Sequence, residues 1–468
     1  MKKRLISFSY AYRYAIVFWL LVLIRMFFNG VLPLMDKTEA RYGEIARLMS
    51  ETGNWITPQI DYTIPFWAKP PLSTWASALS ISIFNSTEFF VRLPYLLALV
   101  LIALFISKYR STPKQSYYLP GIILISLPEF YLHAGVVSTD TFLTLSIAAT
   151  MLGFWEAMQD QAKQFWGYVF FAGLGLGLLA KGPIIGILTL PPIFLWLLFT
   201  KSFKRAFTKL PLISGTILSL VISLPWYILA ELRTPGFLDY FIVGEHFERY
   251  FNSEWKGDKY GFPKQQPLGI AWLFLILFLL PWSIALINLI IRKGKTFLQH
   301  RWLIFLGLWM LWTPFFFTTS KSLIHPYILP SCLPVSLLII HFWEELKNKK
   351  VYFKIAVGLP ILIFMVQLSG IAKPLYEHTT DKYLIAATSQ ELPLYSLEQK
   401  TYSSQFYSQG TIKIISQEEF TQKLDATTAF RILLSKAQWS ALDIETQSKL
   451  TQKDCNKKRC SYHFIPLN

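Results

Sequence analysis

Cysteine, histidine and acidic residues are all scarce in this chain of 468 residues, at three, seven and 28. Three cysteines leave room for one intrachain bridge. Cys332 falls in an apolar stretch and reads as packing, which leaves Cys455 and Cys460 as either two free thiols or a short disulfide in an oxidising compartment. The 28 acidic residues face 45 lysines and arginines, a net charge of +17. A surplus of that size would suit nucleic acid, but charged residues make up 16% of the chain and the basic ones gather between apolar stretches. The surplus is therefore topological, and nucleic acid is set aside as a partner. Internal repeats and low-complexity tracts are missing too. The basic start Met1-Lys2-Lys3-Arg4 lacks a following small-residue cleavage site, so the first apolar segment is expected to stay attached.

What the chain has in quantity is apolar surface: 53% hydrophobic residues, 16 tryptophans and a mean hydropathy of +0.38. Windows near twenty residues, the length that crosses roughly 30 Å of hydrocarbon, recur at 13–34, 89–107, 116–133, 139–157, 165–180, 183–200, 210–230, 267–291, 302–319, 324–343 and 352–371. They predict an α-helical polytopic membrane protein with about eleven or more transmembrane helices. Basic clusters at Lys2–Arg4, Lys108–Lys114, Lys201–Lys209, Arg292–Arg301 and Lys347–Lys350 fall on alternate connections, which places those connections and the N-terminus in the cytoplasm. The opposite face then carries loops 36–88 and 231–266 and all of 373–468. The expected organisation is a membrane domain over 1–372 and a C-terminal domain over 373–468. In the latter, runs such as 410–415 and 430–434 predict a small α/β or α+β fold.

Every chemically suggestive cluster lies on that outer face. In the first loop Asp36 and Glu39 are spaced like a helix cap and its reciprocal partner. Tyr42, Ile45, Ala46 and Met49 recur at helical spacing and predict a surface helix over 38–51, with Gly53 as its stop. At about 100° per residue, Arg41, Glu44 and Arg47 fall on the solvated side and Glu39 turns toward the protein. Glu39 is then a cap or a buried acid/base over the bilayer. Lys69 precedes Pro70-Pro71, so it is held in place, either to snorkel or to grip a phosphate. Asp140 opens an apolar helix, as an N-cap or as a functional carboxylate. Lys181 interrupts two spans, where an ionisable group needs a partner or water. Within Gly244–Tyr250, Arg249 suits a phosphate, while Glu245 and His246 form a candidate acceptor or metal site. Lys321 and His325 precede Pro326-Tyr327-Ile328-Leu329-Pro330 and either anchor the next span or face the same site.

Taken in order, Thr38-Glu39-Ala40-Arg41-Tyr42-Gly43-Glu44, Phe66-Trp67-Ala68-Lys69-Pro70-Pro71-Leu72, Thr139-Asp140, Ala180-Lys181-Gly182, Glu245-His246 and Lys321 before Tyr327-Ile328-Leu329-Pro330 resemble the aminoarabinose-transferase and protein-mannosyltransferase-like glycosyltransferases of the GT-C class. The resemblance covers about residues 10–345. It implies an inverting transferase of a bacterial inner membrane. Such an enzyme moves a hexose or pentose from an undecaprenyl-phosphate carrier to lipid A, an envelope glycan or a protein on the periplasmic side, among membrane lipids. Carried over by position, Arg41 and Lys69 contact the lipid phosphate, Lys181, Arg249 and Lys321 line the cavity, and Glu39, Asp36 and Asp140 form the catalytic set. Thr38 stands where the family often has aspartate, so Glu39 or Asp36 must substitute. Ala68 stands where it often has a metal-binding carboxylate, which puts metal dependence in doubt: no cofactor is assigned, a divalent metal stays open, and His246 is expected to act as a hydrogen-bonding group. The alternative class, a lipid or polysaccharide transporter, commonly shows paired repeats, which this chain does not.

Overall fold

Apolar helices fill the computed structural model up to Leu368, and a small mixed sheet follows. Residues 2–36, 38–248, 257, 259–260, 266–386, 392–425 and 428–466 are described. Tyr12–Val31, Glu88–Tyr109, Leu212–Arg233, Arg301–Thr319 and Lys349–Leu368 are each long and apolar enough to cross a bilayer alone. Leu72–Ile83, Phe165–Lys181, Ile184–Thr200 and His325–His341 are apolar but shorter. Two of the expected spans are broken. Over 116–133 the helix Leu119–Ile125 ends and Pro128–His133 starts afresh, and over 267–291 the helices Ile270–Leu277 and Trp282–Phe297 meet at 104°. A proline, Pro128 or Pro281, stands at each restart, where it withholds the N–H that would continue the helix.

The helix Phe165–Lys181 is set by its glycines. A Cβ on Gly173 would come within 2.7 Å of the Thr150 nitrogen, and one on Gly175 within 2.8 Å of the Ser219 carbonyl oxygen. Their bare backbones let this helix lie directly against Thr139–Ala157 on one side and Leu212–Arg233 on the other. The contact brings the end of one helix, with Lys181, beside the beginning of the other, with Asp140.

The first loop contains the helix Thr38–Thr52, which Gly53 terminates at φ +66°, and a hairpin of β1 (Gln59–Asp61) and β2 (Ile64–Pro65). The C-terminal unit contains β3 (Leu394–Leu397), β4 (Lys413–Ile415), β5 (Phe430–Ser435), β6 (Leu450–Cys455) and β7 (Arg459–Phe464) in the order β4-β3-β5-β7-β6. The pairs β3–β4 and β3–β5 are parallel, β5–β7 and β6–β7 antiparallel. A disulfide joins Cys455 to Cys460 across the last turn, while Cys332 is buried and free.

The C-terminal unit packs on the first loop, and this overturns one expectation. Glu44 and Arg47, assigned to solvent by helical phase, are 0% and 4% exposed. Arg47 clamps Glu44 with two hydrogen bonds of 2.7 Å and also reaches Glu51 and the Tyr62 hydroxyl. Helical phase identified a polar side. It could not show that the helix Tyr402–Tyr407 and Gly410, more than 350 residues away, would cover it. Asp36 is likewise no helix cap, because its carboxylate accepts hydrogen bonds from the Ser403 N–H at 2.9 Å and from the Ser403 hydroxyl.

Candidate functional site

Lys69 and Lys181 come from distant parts of the chain and face one cavity of about 290 Å³. Pro70 and Pro71 lead into the helix Leu72–Ile83 and fix the backbone behind Lys69. Its ammonium donates to the Glu245 carboxylate at 2.8 Å and to its neighbour's carbonyl, Ala68, at 2.6 Å. Glu245 rides on a π-helical stretch, Asp239–Glu248, and also accepts from the Tyr240 hydroxyl at 3.2 Å. Lys181, the last residue of its helix, donates to Asp140 at 2.6 Å and lies 4.2 Å from the centre of the Tyr327 ring. Gly182 follows at φ +79°, a conformation that costs glycine little and lets the chain turn at once into the next helix.

The cavity is amphipathic. Ile184, Ile187, Phe316 and Phe317 form its apolar side, while the two lysines, Glu245, His246, Ser320 and Ser322 supply polar groups. Asp140 lies in a small adjoining recess with Lys181 and Tyr327. Each cation is thus held by a carboxylate at the wall of a pocket with one apolar flank, an arrangement suited to a lipid whose polar end is anionic.

His246 points Nδ1 at the Phe241 carbonyl oxygen, 2.7 Å away, and sets its ring edge-on against Phe241. Burial holds its imidazole below the ordinary histidine range. Ala68 offers no carboxylate ligand, Glu245 is engaged by Lys69 and Tyr240, and among the described residues no three His, Cys, Asp or Glu side chains converge.

Of the remaining candidates, those among the described residues stand outside this lining. Glu39 is buried and doubly bonded to Arg92 at 2.7 and 2.8 Å, with Arg92 also donating to the carbonyls of Asn29, Leu32 and Pro33. Helical phase turned Glu39 inward as expected, but what it meets there is an arginine. Arg41 donates to the Tyr260 carbonyl and packs over the rings of Tyr42 and Phe66. Tyr260 in turn bonds the Trp67 N–H, so Arg41 braces the segment that carries Lys69. Asp36 faces the C-terminal unit. Lys321 is exposed between Ser320 and Ser322, which do line the cavity, and its carbonyl accepts from Gln266. His325 bonds Glu129 at 3.0 Å and stacks on Phe278, anchoring the turn before Tyr327. Arg249 lies outside the described residues. Tyr327, read from sequence only as part of the motif after Lys321, stands at the site itself, and Tyr240 escaped the sequence reading because nothing there signalled it.

The profile of the dolichyl-phosphate-mannose-protein mannosyltransferase family matches residues 8–241, half of the chain. An undecaprenyl phosphate-alpha-4-amino-4-deoxy-L-arabinose arabinosyl transferase of Proteus mirabilis is 27% identical over 80% of this chain and 68% of its own length. Its counterpart in Pseudomonas fluorescens is 24% identical over 73% and 62%. The chain thus spans about two thirds of the length of these curated relatives. Among solved structures, ArnT from Cupriavidus metallidurans bound to undecaprenyl phosphate superposes with a TM-score of 0.76 at 16% identity, covering 96% of this chain and 97% of that one. At such identity the likeness is one of fold.

Proposed function

Because the chain belongs to the dolichyl-phosphate-mannose-protein mannosyltransferase family and has a polytopic GT-C type fold, we propose that it is an inverting glycosyltransferase. It takes a sugar, an aminopentose on the analogy of its relatives, from undecaprenyl phosphate and passes it to lipid A, an envelope glycan or a protein on the periplasmic face of a bacterial inner membrane. The observation that carries this reading is the pair Lys69 and Lys181 on one half-apolar cavity, each backed by a carboxylate.

The chemistry follows from those pairs. Departure of the polyprenyl phosphate leaves charge on its oxygens, which two fixed ammonium groups stabilise. When the donor phosphate meets Lys181 it competes with Asp140 for the ammonium. The released carboxylate then takes the proton of the acceptor oxygen as that oxygen attacks the anomeric carbon. This assigns the base to Asp140, while Glu39, spent on Arg92, shapes the loop from behind. No step is routed through a metal.

The test is transfer by purified protein from a radiolabelled undecaprenyl-phosphate aminopentose to lipid A, glycan and peptide acceptors, with and without chelator. Transfer should persist in chelator and fall well over tenfold in Lys69→Ala, since loss of one charge-paired contact costs about 2–5 kcal/mol. Movement of intact donor across vesicles without transfer would favour the transporter reading instead. Near-normal transfer by Lys69→Ala would remove the phosphate role.

A further inference from the structure

A second, larger cavity of about 730 Å³ lies between the first loop and the C-terminal unit, inside the range of about 300–1,000 Å³ usual for small-molecule sites. Its walls come from the β1–β2 hairpin, the turn at 379–381, the segment 398–405 and the turn between β6 and β7. Most of its carboxylates are already committed. Asp61 pairs with Lys400 at 2.8 Å, Asp381 accepts from Asn456 at 2.8 Å and faces Arg459 at 3.5 Å, and Asp36 is held by Ser403. Glu398 takes a long hydrogen bond from Gln438 at 3.4 Å. Lys457 and Lys458 differ: both stand exposed on the rim, with no ion-pair partner among the described residues.

The turn that presents these lysines is braced from both sides. The disulfide Cys455–Cys460 closes it. The Asn456 side-chain oxygen accepts from the N–H groups of Lys458 and Arg459, each at 2.9 Å, and its amide nitrogen donates to the Thr380 carbonyl at 3.2 Å as well as to Asp381. A fixed backbone under two free ammonium groups reduces the ordering cost of binding an anion. Inside the rim, Gln399 and Tyr402 present an amide and a hydroxyl, whereas Thr401 and Gln405 already donate to Asp381 and Asp61, at 2.6 and 2.9 Å, and Arg41 of the first loop lies 5.9 Å from the Tyr402 ring. Unpaired cations at the mouth, with the carboxylates inside bound by protein donors and an amide and a hydroxyl beside them, match a ligand that is anionic at one end and carries hydroxyls at the other.

We infer that this cleft binds a phosphate-bearing saccharide, with Lys457 and Lys458 on the phosphate and Gln399 and Tyr402 on the sugar. A lipid headgroup and a free sugar phosphate share that chemistry. The binding stands independently of the transfer reading. Only the cleft's role, holding the acceptor for transfer, rests on it.

The experiment measures binding of two probes to the full-length protein in nanodiscs, glucosamine 1-phosphate in solution and the same phosphosugar on an acyl anchor within the disc. At least the anchored probe should bind, more weakly as salt rises. The double charge reversal Lys457→Glu, Lys458→Glu should weaken binding at least tenfold, and arginine at both positions should restore it. Binding of both probes means that the phosphosaccharide suffices, and binding of the anchored one alone assigns the site to a lipid headgroup. Binding of neither, or equal affinity in wild type and the charge-reversed protein, overturns the inference. A wild type that binds the probe but transfers nothing would sink the transfer reading and leave the cleft standing.

Discussion

Asp140 and Glu39 are both buried carboxylates bound to a cation, and their surroundings predict different tasks for them. Asp140→Asn should leave the fold in place and donor binding unchanged or tighter, because Lys181 loses its competitor for the phosphate, while turnover falls by about 10²–10⁴, the usual contribution of a general base. Glu39→Gln should act on stability. It strips a buried arginine of its counter-charge, commonly a cost of about 3–5 kcal/mol. Melting temperature and single-turnover rate, measured on both variants, separate the two, and a stable, inactive Glu39→Gln would return the base to Glu39. Asp36 carries a pH dependence. Burial pushes its carboxyl up to about 6, against the two Ser403 hydrogen bonds that pull it down. The folded state thus holds a proton that the unfolded chain releases near pH 4, so this contribution is full below about pH 4 and is lost as pH rises to about 6, on the order of 2–3 kcal/mol. Asp36→Asn should shrink the difference in melting temperature between pH 4.5 and pH 7. An unchanged difference would place the titration elsewhere. The sequence predicts that these carboxylates share one face of the membrane. It did not show their partners, since Arg92 and Ser403 are respectively 53 and 367 residues from the acids they hold.

Elements were legible where one period ran unbroken. The helix at Thr38–Thr52 and its glycine stop follow from spacing alone, and so does a sheet over the C-terminal runs. Interrupted elements were not, because a window average over 267–291 registers the apolarity on both sides of Pro281 and misses the bend of 104° between the two helices. The turn at Gly182 is the element on which the site depends most directly. An added methyl would lie 2.6 Å from the Phe241 ring and 3.3 Å from His246, at a φ that side chains avoid. Gly182→Ala should therefore shift Lys181 and His246 together and lower transfer at least tenfold, with strain of about 1–3 kcal/mol showing as a lower melting temperature. Full activity in that variant would mean that the turn relaxes without moving the lysine.

At the scale of the whole molecule, the positions of basic clusters predict that a reporter fused after residue 380 is active in the periplasm and one near 205 in the cytoplasm. The reverse at either point would move the site to the other side of the membrane. Fold class was readable because membrane helices announce themselves through composition. How the tail docks was not, because the contact between Tyr402–Tyr407 and the first loop is written in two surfaces that look merely polar when read separately. That contact also imposes a schedule on biosynthesis. At translation rates of about 5–20 residues per second, the roughly 350 residues between Arg47 and Tyr402 take about 20–70 s to make. Over that interval the Glu44 and Arg47 pair stays in water on a nascent loop. The loop that carries Glu44 and Arg47, made well before the segment that covers it, is therefore late to reach its final form.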